Sequence, residues 1–194
     1  GEIDELVELV HRPVLRTLAE RGTPFVGLLY AGLVLTEEGP RVIEFNCRFG
    51  DPETQPIMMR MRSDLVELCE AALDHRLDRV HAEWDPRAAL GVVLAAEGYP
   101  DNVRKGDVIR GLDAAARLSL DGRGKVFHAG TRAQDGAVLT NGGRVLCAVG
   151  LGDNVSAAQD QAYALVDTLS WQGMQCRRDI GYRAILRERG RTGP

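Results

Sequence analysis

The chain has 194 residues, of which 44% are hydrophobic, 27% are charged and 5% are aromatic. This composition is typical of a globular protein and excludes a disordered chain, and the length suits one domain or two small ones. Lysine and arginine number 24 against 28 acidic residues, and the signs are interspersed, so nucleic acid is not an expected partner. The sequence has no apolar run near the roughly 20 residues of a membrane helix, so no membrane partner is expected either.

The four cysteines are isolated in the sequence and follow neither a CxxC nor a zinc-binding spacing. They are Cys47, Cys69, Cys147 and Cys176. Isolated cysteines of this kind predict reduced thiols and a cytoplasmic location. The chain starts at Gly1, without a methionine and directly inside a helical pattern, so we expect that a preceding part of the protein is missing.

The first elements in chain order are a helix and a β-hairpin. Apolar residues recur at three- and four-residue intervals over 2–21, which predicts a helix kinked at Pro13. The almost continuously apolar segment 25–35 predicts a strand buried on both faces. Residues 41–46 predict the returning strand of an antiparallel hairpin, and 47–56 predict a loop.

A second helix is predicted from Ser63 or Asp64, and the periodic pattern stops near residue 78. The boundary predictions are a first domain over 1–80, a junction over 81–87 and a second domain over 88–194.

The second region alternates short strand patterns with turn residues, which predicts an α+β fold class. Its last helix is predicted over 156–169, with a capping box formed by Ser156 and Gln159. The predicted strands cover 88–95, 106–111, 125–131, 137–140 and 144–149.

Two motifs near the end of the chain favour structural interpretations. Gly150-Leu151-Gly152 resembles the start of a dinucleotide fingerprint, but position 155 is valine, so a strand-to-helix turn is favoured. The arginine-rich end predicts a solvated face or a frayed terminus. Its arginines are Arg183, Arg187, Arg189 and Arg191.

The sharpest candidate site is the segment that ends the hairpin. Side chains alternate along a strand, so Glu44 and Asn46 point to one surface with Cα atoms roughly 6.5 to 7 Å apart, while Ile43 and Phe45 point into the core. A carboxylate and an amide carbonyl are the oxygen ligands that suit Mg²⁺. The structural alternatives are a salt bridge from Glu44 to a neighbouring strand and a turn or cap contact for Asn46.

Charged residues continue this candidate site into the loop. Arg48 either continues the strand or enters the loop, and its guanidinium could hold a phosphate or acyl phosphate in a bidentate manner. Asp51 and Glu53 add acceptors for an amine or for a second metal ion.

Segment 44–55, which reads EFNCRFGDPETQ, resembles the C-terminal half of the ATP-grasp domain of the phosphoribosylamine–glycine ligase family, the glycinamide ribonucleotide synthetases. The likeness covers nearly the whole chain. It continues through 30–33, 63–65, 91–93, 98–100, 106–109, 125–131, 141–146 and 179–184. The resemblance implies half an ATP-grasp domain, an antiparallel sheet with helices, followed by a small α+β C-terminal domain.

The resemblance also implies an activity. ATP would activate glycine as glycyl phosphate, and 5-phosphoribosylamine would attack it to give glycinamide ribonucleotide, ADP and phosphate in purine biosynthesis. The resemblance implies that Glu44 and Asn46 bind Mg²⁺ or Mn²⁺. This ion would in turn bridge the ATP phosphates. Arg48 would bind ATP and stabilise the transferring phosphoryl group, and Asp51 would be catalytic beside it.

Three further residues are candidates for substrate binding: Glu53, His128 and Arg144. His128 alternatively is a satisfied structural histidine. Arg144 follows the glycine turn 141–143, whose backbone N–H groups and guanidinium together could seat an anion.

The chain differs from the family pattern because several parts of the family's sequence are absent from it. It lacks the N-terminal substrate domain, the glycine-rich lid and the phosphate-binding lysine, and no GxxxxGK[ST] motif replaces them. The missing N-terminal half is therefore an expected partner. The alternatives are another ATP-grasp carboxylate–amine ligase and, for the isolated chain, a non-catalytic structural or interaction module.

Overall fold

The computed structural model describes residues 1–190, which form two compact units. The first unit comprises residues 1–51 and 62–83, and the second comprises residues 52–61 and the chain from Trp84 onward. Both units combine helices with antiparallel strands, so the predicted α+β class is confirmed. None of the helices within residues 1–190 is long and apolar enough to cross a membrane.

The first unit opens with one continuous helical segment that changes its winding. It consists of α1 (Glu2–Leu6), a π-helical turn (Val7–His11) and α2 (Arg12–Glu20). Pro13 lies in the first turn of α2, and the π-helical turn directly precedes it. Because proline cannot donate a backbone hydrogen bond, the change in winding occurs where the sequence predicts the kink.

The hairpin of the first unit is confirmed, with β1 over Tyr30–Thr36 and β2 over Gly39–Asn46. The prediction of a strand buried on both faces is wrong. Residues 25–29 precede the strand, and Val34 and Leu35 are 45% and 65% exposed. The predicted core positions Ile43 and Phe45 are also exposed, because β1 and β2 form a sheet of only two strands.

Helix α4 (Leu65–Leu73) completes the regular helices of the first unit, followed by a 3₁₀ turn (Leu77–Arg79). The predicted helix start is confirmed at Asp64, whose carboxylate accepts a hydrogen bond from the Val66 N–H at 2.7 Å.

The second unit is built on a three-stranded antiparallel sheet of order β3-β7-β4. Strand β7 (Arg144–Gly152) lies between β3 (Ala88–Ala95) and β4 (Gly124–His128). A separate hairpin pairs β5 (Thr131–Gln134) with β6 (Ala137–Thr140).

Helices cover both faces of this sheet, which explains why β7 is almost completely buried. Helix α6 (Val155–Val166) packs against Gly150 and the core of the unit. Pro56 of α3 (Thr54–Arg60) and the Cys147 thiol both lie beside the side-chain position of Gly91, which faces away from α6 because faces alternate along a strand. Helices α5 (Leu112–Leu118) and α7 (Tyr182–Glu188) complete the unit.

Several local predictions in the second half of the chain are wrong. Residues 106–111 form two isolated bridges, at Val108 and Arg110, instead of a strand. The N-cap of α6 is Asn154, whose side chain accepts from the Ala157 N–H at 2.8 Å, and no box of Ser156 and Gln159 forms. The loop predicted to Pro56 ends earlier, because α3 begins at Thr54.

The arginine-rich end forms an exposed helical face, which agrees with the predicted alternative of a solvated face. Arg183 and Arg187 lie in α7, whose Ile185 is buried at 7% exposure. Arg189 is the C-cap of this helix, and Arg191 lies outside the described residues.

An ion pair within the second unit, in which the carboxylate is buried and the guanidinium is partly exposed, leads to a stability prediction. The Asp85 carboxylate, 9% exposed, accepts hydrogen bonds from the Arg87 backbone N–H at 2.9 Å and from its Nε and Nη2 at 3.0 and 2.8 Å. This hydrogen bonding raises the pKa of the Arg87 guanidinium above its ordinary value. We expect Asp85→Ala to lower the free energy of unfolding by about 2–3 kcal/mol, because it removes a buried carboxylate that accepts three charge-assisted or backbone hydrogen bonds.

The matched control is Asp121→Ala. Asp121 makes the same local pair with Arg123 two residues later, but its side chain is 42% exposed. Exposed pairs contribute about 0–1 kcal/mol, so this variant should lose little stability. Urea unfolding of both variants measures the difference, and equal losses would contradict the role of burial.

Candidate functional site

The candidate site in the first unit lies where strand β2 ends. The amide Nδ2 of Asn46 donates a hydrogen bond to Oε1 of Glu44 at 3.0 Å, so the two side chains share one surface. In the hairpin register, Glu44 lies opposite Gly32 and Asn46 opposite Tyr30. A Cβ atom at Gly32 would lie 3.2 Å from the Glu44 Cγ, so glycine leaves room for the acidic side chain.

The backbone beside this pair is irregular. The register of the hairpin shifts between Gly32 and Leu33, directly opposite the strand residues that precede Glu44. Such irregularities bend a strand and redirect its side chains, and they are frequent next to active sites. The glycine and the register shift together set the direction in which Glu44 projects.

The donor set fits a hard divalent cation. Glu44 is exposed and Asn46 is half-buried, and among residues 1–190 the only polar side-chain partner of Glu44 is Asn46. The predicted salt-bridge alternative for Glu44 is therefore absent from this part of the chain. Residues 1–190 contain no group of three or more His, Cys, Asp or Glu side chains that could hold a metal. Mg²⁺ is commonly held by one or two protein oxygens, with water and phosphate oxygens as its other ligands.

Arg48 and Asp51 follow the pair in the same unit. Strand β2 ends at Asn46, so Arg48 lies in the loop, where its Nη1 donates to the Phe49 carbonyl at 3.0 Å. Its side chain is exposed, as is that of Asp51. The short loop after the strand thus carries a guanidinium within two residues of the Glu44 and Asn46 pair.

Glu53 belongs to the second unit, at the N-cap position of α3. Its backbone carbonyl accepts from the Ile57 N–H at 3.3 Å, and its side chain makes no capping hydrogen bond. The exposed carboxylate therefore stays available to a ligand.

His128 and Arg144 also belong to the second unit, and sheet pairing brings them to one end of it. His128 ends β4 and pairs with Leu146, two residues after Arg144 begins β7. The Nδ1 atom of His128 lies 3.1 Å from the Thr131 hydroxyl, a contact that orients the ring. The Gly130 N–H donates to the Arg144 carbonyl at 2.9 Å.

The glycine turn before Arg144 is sterically required. A Cβ atom at Gly142 would lie 3.0 Å from the Gly130 Cα, and one at Gly130 would lie 2.7 Å from the Gly142 Cα. The turn and the segment after β4 therefore approach backbone to backbone, which fixes Arg144 relative to His128.

An open pocket of about 600 Å³ adjoins His128, and the sequence did not predict it. Lys125 and Asp113 line this pocket with His128, together with apolar side chains such as Leu112 and Val126. The Lys125 ammonium lies 5.3 Å from the Phe127 ring centroid. Asp113 was missed because helix α5 was not predicted, and Lys125 because it reads as an ordinary exposed strand residue.

Comparison with known families matches two parts of the chain to two domains of one enzyme. Residues 2–54 match the sequence model of the phosphoribosylglycinamide synthetase ATP-grasp (A) domain, and residues 89–183 match that of the C domain of the same synthetase. The hairpin with Glu44 and Asn46 thus lies in an ATP-grasp segment.

Whole-chain relatives agree with these matches. A phosphoribosylamine–glycine ligase of Vibrio parahaemolyticus is 59% identical over 186 residues, which cover 95% of this chain and 42% of the relative. The ligase of Pseudomonas putida is 62% identical over 174 residues, covering 89% of this chain and 39% of the relative. The crystal structure of the Thermotoga maritima ligase superposes with a TM-score of 0.75 at 33% identity, covering 91% of this chain and 42% of that one.

The fold and these matches therefore define an ATP-grasp protein. More specifically, the chain belongs to the phosphoribosylamine–glycine ligase family. It spans less than half the length of the curated relatives that it matches.

Proposed function

We propose that this chain is part of an ATP-dependent ligase that joins glycine to 5-phosphoribosylamine through glycyl phosphate, giving glycinamide ribonucleotide, ADP and phosphate. The observation that carries the proposal is the Glu44 and Asn46 pair, 3.0 Å apart, within the segment that matches an ATP-grasp domain. A phosphoryl transfer of this kind needs mainly positioning and charge stabilisation, and little covalent chemistry from the protein.

In this proposal Glu44 and Asn46 hold Mg²⁺ or Mn²⁺ by their side-chain oxygens. The bound cation would supply charge neutralisation for the ATP phosphates. To bind it, the Asn46 amide would turn its oxygen toward the ion and give up its present hydrogen bond to Glu44.

The neighbouring charges have separate roles. Arg48 binds ATP and stabilises the phosphoryl group in transfer through its guanidinium, whose planar donors match phosphate oxygens. Asp51 accepts a hydrogen bond or proton from the attacking amine. Glu53, His128 and Arg144 bind substrate, with Arg144 suited to an anionic group and Glu53 to an ammonium.

We further propose that residues 1–80 belong to the ATP-grasp domain, 88–194 to the C-terminal domain and 81–87 to their junction, in a cytoplasmic enzyme. The matched relatives are more than twice as long as the part that aligns with this chain. The complete enzyme would therefore consist of this chain and a further part that corresponds to the rest of the relatives. That remaining part would be the partner that completes the ATP site.

The test is an ADP-release assay of the complete enzyme with ATP, glycine and 5-phosphoribosylamine. We expect ADP formation to require both substrates and a divalent cation, and to stop on chelation. ADP formation with a different carboxylate or amine acceptor, but not with these two, would overturn the assignment in favour of another carboxylate–amine ligase. Turnover by this chain alone would contradict the proposed need for a completing partner.

A further inference from the structure

Gly32 is a strand glycine whose backbone conformation does not require glycine. It is half-buried within β1, and it is not among the glycines of residues 1–190 that have a positive φ. Glycine weakens a strand, because it loses more conformational freedom on folding and offers no side chain for packing. A strand would therefore carry alanine or a β-branched residue at this position unless something else excludes a side chain.

The surroundings of Gly32 supply such a reason. An added Cβ atom would lie 3.2 Å from the Glu44 Cγ, and 3.7 Å from both the Glu44 carbonyl oxygen and the Tyr30 Cε1. Residues that lie opposite each other in an antiparallel pair usually have Cβ atoms about 4.5–5.5 Å apart, so alanine normally fits beside its partner. Glu44 therefore leans over the side-chain position of Gly32, and the Tyr30 ring contacts the same position.

The irregular register of the hairpin accounts for this close approach. Strand β2 advances by two residues, from Val42 to Glu44, where β1 advances by only one. Ile43 is therefore an extra residue on β2, and an extra residue bends its strand and increases the local twist. Ile43 is itself 70% exposed, so the bend does not serve to bury its apolar side chain. What the bend does is bring Glu44 over Gly32.

Gly32 differs in this respect from a glycine that the fold itself requires. At Gly150 of β7, an added Cβ atom would lie 2.5 Å from the Ala162 backbone nitrogen, which moves only if helix α6 moves. At Gly32 the nearest atom is the Cγ of an exposed and flexible glutamate. A side chain at position 32 would therefore cost the fold little, and the group that it displaces would be the Glu44 side chain.

We propose that Gly32 is a positioning residue for the cation site, because its lack of a side chain keeps the Glu44 carboxylate beside the Asn46 amide, 3.0 Å away. This role rests on the proposed function, in which Glu44 and Asn46 hold the divalent cation. A side chain at position 32 would push the Glu44 Cγ away and move its carboxylate relative to Asn46. Mutation of groups that orient a metal ligand typically lowers metal affinity by about 10- to 100-fold.

The test is a Mn²⁺ titration of the complete enzyme in the presence of ADP, followed by electron paramagnetic resonance, without glycine or 5-phosphoribosylamine. This titration gives a Mn²⁺ dissociation constant that does not depend on turnover. We expect Gly32→Val to raise the dissociation constant about tenfold or more, and Gly32→Ala to raise it by a smaller factor because the added group is smaller. Raised Mn²⁺ concentration should restore ligation by both variants.

Thermal unfolding of the same variants separates positioning from a structural role. Valine favours strands and glycine disfavours them, so Gly32→Val should leave the unfolding temperature unchanged or raise it. Weaker cation binding at undiminished stability is a combination that a merely structural glycine would not give. Weaker binding that appears only together with a lowered unfolding temperature would overturn the proposal.

The matched control is Ala31→Val. Ala31 precedes Gly32 on β1 and lies opposite Phe45, so its side chain lies on the other face of the hairpin. The variant adds bulk to the same strand, one residue away, without approaching the Glu44 side chain. It should leave the Mn²⁺ dissociation constant unchanged.

Glu44→Ala is the reference variant that keeps the two proposals apart. If Glu44→Ala weakens Mn²⁺ binding but Gly32→Val binds like the unaltered enzyme, the role of Gly32 is overturned and the cation site stands. If Glu44→Ala itself binds Mn²⁺ normally, the assignment of the cation ligands is wrong, and the role of Gly32 is overturned with it. Neither result depends on the identity of the two substrates, which the ADP-release assay tests separately.

Discussion

Replacing Glu44 with alanine in the complete enzyme is expected to lower kcat/KM for ligation by about three orders of magnitude while the fold is retained. Glu44 is the carboxylate of the proposed cation pair, and its loss would leave one neutral amide to hold a doubly charged ion. Because the side chain is exposed and bonded only to Asn46 among residues 1–190, its removal leaves no buried group unsatisfied.

Asn46→Ala should lower kcat/KM by a smaller factor, about 10²-fold, because it removes a neutral ligand and leaves the carboxylate in place. Glu44→Asp keeps the charge on a shorter side chain, so we expect part of the activity to return at raised Mg²⁺ or Mn²⁺ concentration. The dependence of turnover on metal concentration separates a metal ligand from a merely structural residue, since only the former shifts the half-saturating metal concentration.

Glu38→Gln is the matched control for these variants. Glu38 is an exposed carboxylate at the turn of the same hairpin and pairs with Arg41 at the surface. Its neutralisation should leave both turnover and metal dependence unchanged. Near-normal activity of both Glu44→Ala and Asn46→Ala would contradict the assignment of these residues as cation ligands, even if the enzyme proves to be the proposed ligase.

Local periodicity was enough to predict the elements whose sequences bury one regular face. Strands β3 and β6 occur at the residues predicted for them, and alternation along β2 correctly brought Glu44 and Asn46 to one surface. The N-terminal helix, the cap at Asp64 and the strand-to-helix connection after Gly152 follow from the same local rules.

The remaining features depend on contacts that a local pattern does not contain. The proximity of His128 to Arg144 arises from the order β3-β7-β4, which pairs segments far apart in sequence. Helix α7 was missed because its arginines dominate the pattern, although one buried residue, Ile185, anchors it. The burial predicted for 25–35 failed because an apolar run predicts cover on both faces, and the hairpin has only two strands.

The two glycines near the end of β7 give the largest expected effect on stability. A Cβ atom at Gly150 would lie 2.5 Å from the Ala162 nitrogen and 2.7 Å from the Gln161 Cβ, both on α6. At Gly152 the corresponding distance to the Ala157 Cβ would be 2.7 Å. The motif that resembles a dinucleotide fingerprint therefore serves close packing of helix on strand.

Gly150→Ala should accordingly lower the free energy of unfolding of the second unit by more than about 3 kcal/mol, because α6 must move away from β7 and from the core residues that it covers. Gly136→Ala is the matched control. Gly136 has a φ of +78° but nothing within 4 Å of its added Cβ, so only the backbone conformation opposes the methyl group, at about 1–2 kcal/mol. Urea unfolding followed by circular dichroism measures both. A loss in Gly150→Ala no larger than that in Gly136→Ala would mean that α6 moves at little cost and would contradict the proposed need for glycine in this packing.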